Sequence, residues 1–262
     1  MKKEDKLLEK YTEKQYNQFG KEYQKSRDEK QANRGFNEYL EMPSMFGAVK
    51  NIKGKKLLDI GCGAGLHLKV YIKRGAKCSG MDLSKTMIEM AKKNCPKADL
   101  KVGSMTSMPY MNSSFDIVTG SLCTGYFKNL GPVFKEVSRV LKKGGLFYFS
   151  DSALVRRRFG RYEAKDFKIK GVGEVLDKKT GKITIFQSPE SRLVEWEAVP
   201  GMALKTYEKS FRDELKWMIA NGLELVDMID CYPTKGFKKQ NPEDYPLYSK
   251  VPDFCIMVCR KK

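Results

Sequence analysis

The chain has 262 residues, of which 41% are hydrophobic and 11% aromatic, so it can bury a core and is not disordered as a whole. Its single histidine excludes sites that need two or more, such as a His-x-x-x-His zinc helix. The formal net charge of +18 comes mostly from lysine (39 Lys against 11 Arg), which is more typical of a solvated surface than of an arginine-based nucleic-acid site.

The first 50 residues are polar, with apolar residues at helical spacing that include Tyr16, Phe19 and Tyr23. This periodicity predicts two or three amphipathic helices, and Pro43 marks the start of another. We therefore expect residues 1–50 to form an N-terminal helical cap.

From residue 57 the pattern changes to short apolar strands that alternate with helices. The predicted helices span 65–74, 85–94 and 131–142, and the predicted strands are Lys56–Ile60, Ala76–Met81, Leu100–Val102, Phe115–Thr119 and Leu146–Ser150. This alternation predicts βαβ units and a parallel sheet.

Residues 152–206 break the alternation. A hairpin is predicted around Asp177–Lys182, with further strands at Arg192–Ala198 and Met202–Tyr207, so this segment reads as an antiparallel insertion that forms a lid. It also holds the one dense basic cluster, Arg156–Arg158 with Arg161. The remainder is predicted as a helix over 208–221, a strand at Leu223–Cys231, a Pro-rich loop over 232–251 and a final strand at Asp253–Arg260.

The most informative stretch is Leu57-Leu58-Asp59-Ile60-Gly61-Cys62-Gly63-Ala64-Gly65. Glycines after a strand let the backbone turn tightly and approach a ligand, and the helix that follows favours an anion at its N-terminus. Asp82, at the end of the second strand, can accept hydrogen bonds from ribose hydroxyls. Together these features predict a nucleoside-containing cofactor.

The spacing of the loop narrows the choice of cofactor. Leu66 stands where the third glycine of a dinucleotide loop belongs, and no Gly-Lys-Ser/Thr follows, so neither a dinucleotide site nor a P-loop is indicated. A cofactor with one ribose and an amino-acid tail fits better than a pyrophosphate, and a nicotinamide enzyme is kept as a weak alternative.

The motifs "LLDIGCGAG" and "GMDLS" resemble motifs I and II of class I S-adenosylmethionine (SAM)-dependent methyltransferases, in the small-molecule branch that includes ubiquinone and menaquinone C-methyltransferases. "MPYMNSSFDIVTGS" (108–121), "FKEVSRVLKKGGLFYFSD" (134–151) and "FRDELKWMIANGLELVDM" are similar to later segments of the same family. The resemblance implies a Rossmann-like, doubly wound α/β fold. Its mostly parallel seven-stranded sheet would have the order 3-2-1-4-5-7-6 with strand 7 antiparallel, formed by residues 51–151 and 207–262, and the β insertion of 152–206 would follow strand 5.

The resemblance also implies roles around SAM. Gly61, Cys62, Gly63 and Ala64 would line its methionyl part, Asp82 would bind the ribose diol and Leu83 would pack on adenine. Asp59 would act through the loop, and Gly120 and Ser121 would lie near the amino-acid tail and the methyl group. Ser104, beside Met105, stands where many relatives have an aspartate that reaches adenine N6.

Tyr16 to Arg27 is similar to an N-terminal segment that closes over SAM in many relatives. Tyr23 and Arg27 would then close on the SAM carboxylate, and the alternative is an ordinary amphipathic helix. For His67 we favour a contact with the cofactor tail, or helix capping, over a general base. No catalytic residue is assigned.

Tyr16, Cys123, Tyr126 and Trp196 are the candidate acceptor-site residues, with Phe127, Phe186 and Tyr207 as further aromatics that could equally be core. Cys123 follows strand four, near the expected methyl group, but the Pro-Cys dipeptide of the cytosine enzymes is absent. A buried free thiol is therefore favoured over a covalent nucleophile.

The sequence predicts an enzyme that transfers the methyl group of SAM to a small molecule and leaves S-adenosylhomocysteine. One alternative is an RNA or protein methyltransferase that uses Arg156–Arg161 as its binding cluster. The other is a SAM-binding regulator without turnover. Nucleic acid is thus a possible partner that is not favoured, and the oligomeric state is not predicted.

The seven cysteines are irregularly spaced and contain no C-x-x-C pair, so neither a disulfide framework nor a metal site is expected. No run approaches the ~18 apolar residues of a membrane span, and the N-terminus lacks an apolar signal segment. These features predict a cytoplasmic protein without a membrane span.

Overall fold

The computed structural model describes residues 3–29, 35–153, 173–176, 183–186 and 192–262, and for 173–176 and 183–186 it describes the backbone alone. A π-helical turn spans Asn37–Glu41 and a 3-10 turn spans Thr124–Tyr126. The α-helices are α1 (Lys3–Asp28), α2 (Met42–Ala48), α3 (Leu66–Lys73), α4 (Lys85–Asn94), α5 (Gly131–Val140), α6 (Phe211–Ala220), α7 (Lys235–Gln240) and α8 (Tyr245–Tyr248). None of these described helices combines the length and the apolar character needed to cross a membrane.

Seven strands form one sheet: β1 (Lys56–Ile60), β2 (Lys77–Asp82), β3 (Asp99–Val102), β4 (Phe115–Ser121), β5 (Leu141–Ser152), β10 (Leu223–Cys231) and β11 (Phe254–Lys261). Their order is β10-β11-β5-β4-β1-β2-β3. Strands β1 to β5 are parallel to one another, and β11 is antiparallel to both β5 and β10. Read from β3, with β10 and β11 as strands six and seven, this confirms the predicted order 3-2-1-4-5-7-6 and the α/β fold class.

Successive residues of the central strands enter opposite cores because side chains alternate across a sheet. Leu57 belongs to the cluster that includes Met45 of α2 and Tyr71 of α3. Leu58, the next residue, belongs to the cluster with Phe134 of α5 and Met218 of α6. Both faces of the sheet are thus covered by helices, as a parallel sheet requires.

The predicted end of the helix over 131–142 is wrong. Helix α5 ends at Val140, and β5 begins at once with the buried Leu141, five residues before the predicted strand. The register shifts between Phe115 and Ile117 of β4, because β5 carries a bulge at Gly144 (φ +75°). Gly144-Gly145 therefore marks an irregularity inside the strand and not the stop of the helix.

The stretch predicted as a Pro-rich loop over 232–251 contains the two short helices α7 and α8. Phe237 of α7 is fully buried, with its ring 5.2 Å from that of Phe36 and 6.0 Å from that of Tyr248. This aromatic cluster stabilises helices that are too short to form from propensity alone.

Four further strands form two antiparallel pairs after β5. Strand β6 (Gly173–Leu176) pairs with β7 (Ile183–Phe186), and β8 (Arg192–Val199) pairs with β9 (Met202–Glu208). These pairs confirm the antiparallel character predicted for the insertion. The predicted turn at 177–182 and the Arg156–Arg161 cluster lie outside the described residues.

Candidate active site

A cavity of about 280 Å³ opens at the carboxyl ends of β1, β2 and β4. In an open parallel sheet ligands bind at this edge, where the strand order reverses, and here the reversal lies between β1 and β4. Helix α1 borders the cavity on one side through Tyr16 and Tyr23, and the β8–β9 pair borders it on another through Trp196 and Thr206.

The loop between β1 and α3 depends on its glycines. Gly61, Gly63 and Gly65 all have positive φ, at +65°, +53° and +83°. A side chain on Gly61 would meet the Cβ atom of Cys123 at 2.6 Å, whereas one on Gly63 would meet nothing within 4 Å. The loop backbone therefore packs tightly beneath Gly61 and faces open space at Gly63.

Asp82, the last residue of β2, holds the loop at the edge of the cavity. Its two carboxylate oxygens accept hydrogen bonds from the backbone N–H groups of Gly63 and Ser84, each at 2.9 Å. Burial raises the pKa of Asp82, and these two hydrogen bonds oppose that rise. Ser84 in turn caps α4, since its side chain accepts a bond from the Met87 N–H.

Asp59 and Gly120 lie behind the loop and not in the cavity wall. Asp59 is 1% exposed and accepts a hydrogen bond from the Thr119 hydroxyl at 2.7 Å. Burial raises its pKa to about 6, and the neighbouring His67 works against that rise. Gly120 packs against Ile60 and Cys123, where a side chain would be 3.1 Å from each.

His67, in the first turn of α3, faces both the cavity and a buried carboxylate. Its Nε2 atom lies 3.2 Å from Oε2 of Glu41, a fully buried residue of the π-helical turn. A carboxylate only accepts hydrogen bonds, so Nε2 donates this one. The other Glu41 oxygen accepts a bond from the Ser150 hydroxyl at 2.6 Å.

Arg27 of α1 also lines the cavity, where it pairs with the same π-helical turn. Its Nε atom donates to Glu38 Oε1 at 2.8 Å, and its pKa is raised: burial lowers it, but Tyr23 and Glu38 raise it further. A cationic guanidinium therefore stands beside the cavity with one carboxylate already bound.

Helix α1 is joined to the rest of the cavity wall by side-chain hydrogen bonds along its length. The Ser104 hydroxyl donates to Glu9, and the Ser84 hydroxyl donates to Asn17 Oδ1 at 2.8 Å. The hydroxyls of Tyr16 and Tyr126 are 2.7 Å apart. These bonds hold α1 against the loops that follow β2, β3 and β4.

Comparison with known proteins matches this same part of the chain. The profile of a family described as "Methyltransferase domain" matches residues 58–149. Residues 58–149 are thus similar to a methyltransferase family. Among curated relatives, the demethylmenaquinone methyltransferase of Chlorobaculum parvum is 32% identical over 126 residues, which cover 47% of this chain and 52% of the relative.

A ubiquinone biosynthesis O-methyltransferase of Pelagibacter ubique is 35% identical over 104 residues, 38% of this chain and 43% of that protein. The chain spans about half the length of such curated relatives. A solved SAM-dependent methyltransferase from Mesorhizobium loti shares the fold, with a TM-score of 0.63 and 21% identity, covering 84% of this chain and 96% of that one.

The cavity brings together all the predicted site residues except Asp59 and Gly120. On the side of the glycine loop and α1 these are Tyr23, Arg27, Gly61, Cys62, Gly63, Ala64, His67, Asp82, Leu83, Ser104, Met105 and Ser121. The four candidate acceptor residues Tyr16, Cys123, Tyr126 and Trp196 line it as well. The side chain of Phe186 lies outside the described part of the chain.

Tyr16, Tyr126, Trp196 and Tyr207 are aromatic residues that line the cavity. The ring of Tyr16 meets that of Tyr126 edge-on at 6.2 Å. Burial raises the pKa values of both phenols and of the Cys123 thiol far above their ordinary values. Burial thus favours the neutral form of these groups, and Cys123 is a buried free thiol.

Sequence reasoning did not identify Glu41. Glu41 and its neighbour Leu40 are both fully buried and both lie in the π-helical turn at Asn37–Glu41. Glu41 is also four residues before the buried Met45, a spacing that places two residues on one face of a helix. That spacing, at a charged residue close to Pro43, is the signal that the sequence contains.

A second unpredicted group joins the insertion to the sheet. The Lys209 side chain, just after β9, is fully buried and lies 3.5 Å from Asp151 Oδ2 at the end of β5. The Thr124 hydroxyl donates to the same oxygen at 2.8 Å. Lysine is rarely buried without partners, and Lys209 also donates to the carbonyl oxygens of Thr124 and Tyr207.

Proposed function

We propose that this protein transfers the methyl group of SAM to a small-molecule acceptor and releases S-adenosylhomocysteine. The observation that supports this is a cavity lined by two chemically different sets of residues. One set is the glycine loop and Asp82, and the other is the aromatic set Tyr16, Tyr126 and Trp196. The first set would bind the cofactor and the second the acceptor.

The glycine loop, Asp82 and the residues around them suit SAM. The Gly63 backbone faces open space that a side chain would fill, so the loop can approach a ligand closely. The carboxylate of Asp82 lines the cavity and would accept hydrogen bonds from the ribose hydroxyls, with Leu83 against the adenine. His67 and Arg27 offer positive charge for the carboxylate of the amino-acid tail, while Asp59 lies behind the loop.

SAM supplies an electrophilic methyl group on a sulfonium, which an acceptor atom attacks in line. The protein then needs mainly to align the two molecules and to exclude water. Helix α1 and the β8–β9 pair would do this, because they border the cavity on the sides that the sheet leaves open. We assign no general base.

Two features favour a small molecule over a macromolecule. The cavity is bordered by α1 and by β8–β9, and an enclosed pocket suits a small ligand. Two of the curated relatives, the demethylmenaquinone and the ubiquinone biosynthesis methyltransferases, have names that refer to quinones, which supports an acceptor of that size without naming it. All seven cysteines are free and buried, which fits the cytoplasm that we propose as the compartment.

Binding is tested first, by titration calorimetry with SAM and S-adenosylhomocysteine. D82N should weaken SAM affinity tenfold or more, because an amide replaces an acceptor with a donor at the ribose, and hydrogen bonds to charged groups contribute about 1.5–3 kcal/mol. The control D230N makes the same change at an exposed position of β10 and should bind as the wild type does. Equal affinity of D82N and wild type would contradict the assignment.

Turnover is tested with labelled SAM and separated fractions of a cell extract. Label in the small-molecule fraction supports the proposal. Label in RNA or protein alone would assign the acceptor to a macromolecule instead, and the Arg156–Arg161 cluster would then be the first to mutate. SAM binding without label in any fraction would favour a regulator without turnover.

A further inference from the structure

Behind one end of the cavity lies a cluster of buried charged side chains that come from separate parts of the chain. Glu41 is in the π-helical turn, His67 in α3 and Asp59 in β1, and none of the three is more than 6% exposed. Arg27 of α1 and its partner Glu38 adjoin them, with the Arg27 side chain 14% exposed. Among these residues only Arg27 and His67 reach the cavity wall.

The charges in the cluster oppose each other. Burial lowers the pKa of His67, but Glu41 and then Asp59 raise it by a larger amount, so the pKa of His67 is raised overall. Burial raises the pKa of Glu41, but His67 and hydrogen bonds from Ser150 and Ser121 lower it below its ordinary value. An imidazolium beside a carboxylate is therefore the favoured state of the pair.

Glu41 also reaches the loop after β4 through Ser150. The Ser150 hydroxyl donates to Glu41 and accepts a hydrogen bond from the Leu122 N–H at 3.0 Å. Leu122 has a φ of +49°, a left-handed conformation that is costly for a residue with a branched side chain. Glu41 thus holds His67 on one side and the strained residue next to Ser121 on the other.

This arrangement offers positive charge to a ligand at that end of the cavity. His67 and Arg27 provide the cations, and their carboxylate partners stand behind them, outside the wall. A ligand that carries an α-carboxylate matches such an end, whereas the same nucleoside without this group does not use it.

We propose that Glu41 is a positioning residue for the amino-acid tail of the cofactor, acting through His67, which it keeps protonated and directed at the cavity. The inference rests on the proposed function, since it assigns the residues that recognise the tail of SAM. Glu41 contacts no ligand itself, because it lies behind the wall that His67 forms.

The test compares SAM with 5′-methylthioadenosine, which has the nucleoside and the sulfur but lacks the tail. In titration calorimetry E41Q should bind SAM about tenfold more weakly, a loss that corresponds to one charge-assisted hydrogen bond. Its affinity for 5′-methylthioadenosine should stay within twofold of the wild type. E224Q, which makes the same change at an exposed position of β10, should alter neither.

The pH profile separates this role from a merely structural one. The groups around His67 are Glu41 of the π-helical turn, Asp59 of β1, Arg27 of α1 and Tyr71 of its own helix. The wild type should lose SAM affinity as the pH rises through the raised pKa of His67, and E41Q should show the same loss at lower pH. The α-amino group of SAM itself titrates near pH 8. The pH dependence of SAM affinity in H67Q, which lacks the imidazole, therefore measures the contribution of the ligand alone.

A double-mutant cycle decides whether Glu41 acts through His67. The double variant E41Q/H67Q should bind SAM no more weakly than H67Q. If E41Q does not fold, the affinities for SAM and 5′-methylthioadenosine are compared in H67Q instead. Unchanged SAM binding in E41Q, or equal weakening for both ligands, would overturn the inference while wild-type SAM binding still stands. Failure of the wild type to bind SAM would instead overturn the proposed function on which the inference rests.

Discussion

Gly61 and Gly63 adopt the same left-handed backbone, at φ +65° and +53°, but differ in what a side chain would meet. At Gly61 the added Cβ atom would lie 2.6 Å from Cys123 Cβ, a distance that real Cβ atoms do not reach. At Gly63 it would enter open space on the cavity side. The two positions therefore separate the structural role of the loop from its contact with a ligand.

G61A should be the less stable of the two variants. An alanine in the left-handed conformation should lower the free energy of unfolding of either variant by about 1–2 kcal/mol. The collision with Cys123 should lower that of G61A by about 1–3 kcal/mol more. Urea denaturation measures the difference, and C123G in the G61A background should recover part of the loss. Equal stability of G61A and G63A would show that the loop accommodates the side chain.

For SAM affinity we expect the opposite order, with G63A the more impaired of the two variants. G63A should fold with a small loss of stability, yet bind SAM tenfold or more weakly, because its methyl group occupies space next to the ligand. A G63A variant that binds SAM as the wild type does would place the cofactor away from this part of the loop.

At the level of elements, the sheet could be predicted because its signals are local. Strands β1 and β4 are short apolar runs, and the alternation with helices predicts that they are parallel, while their order in the sheet is implied by the family resemblance. The elements that were missed depend on distant contacts. Helix α7 forms because Phe237 packs on Phe36, some 200 residues away in the chain, and β5 starts early because its bulge lets Leu141 pair with Phe115.

The site shows the same division. The glycine loop and Asp82 are adjacent in sequence to the strands that position them, so their place at the edge of the sheet could be foreseen. Glu41 could not be foreseen, because a charged side chain is expected to be exposed and this one is buried in the π-helical turn. Neither could Lys209, whose burial requires Asp151 and Thr124 from β5 and the turn after β4.

The contact between α1 and the turn after β4 is a pair of phenols, and this predicts an unusual pattern of stability. Y16F leaves the buried hydroxyl of Tyr126 without its 2.7 Å partner and should cost about 1–2 kcal/mol. Y126F should cost a similar amount for the same reason. The double variant should cost less than the sum, because it leaves neither hydroxyl unpaired.

Urea denaturation of the four proteins completes this cycle. Additive losses would mean that the two hydroxyls contribute independently, and α1 would then be held at this point by the apolar contacts of Tyr16 and Tyr23 with the cluster that includes Ala198. A coupling of about 0.5 kcal/mol or more would identify the phenol pair as one of the bonds that hold α1 to the turn after β4.

The whole molecule combines a lysine-rich surface with a cavity whose wall is acidic. The net charge is +18, yet the cavity is lined by the carboxylate side chains of Glu9, Glu13, Asp82, Asp151 and Glu208. A sulfonium cofactor carries net positive charge, so the wall offsets the repulsion that the overall charge would impose. Among the described residues, no lysine lines the cavity.

Because the walls of this cavity come from distant parts of the chain, a bound ligand should stabilise those parts together. At a concentration 100 times its Kd a ligand adds about 2.7 kcal/mol to the folded state. Amides of α1 and of β8–β9 should therefore exchange up to about 100-fold more slowly with S-adenosylhomocysteine bound, since opening either element exposes the ligand. Amides of β10, at the far edge of the sheet, open without disturbing the cavity and should change little. Hydrogen exchange followed by mass spectrometry measures this, with D82N as the control in which protection is lost. Slowing confined to the glycine loop, with α1 unaffected, would show that the N-terminal helix does not close over the cofactor.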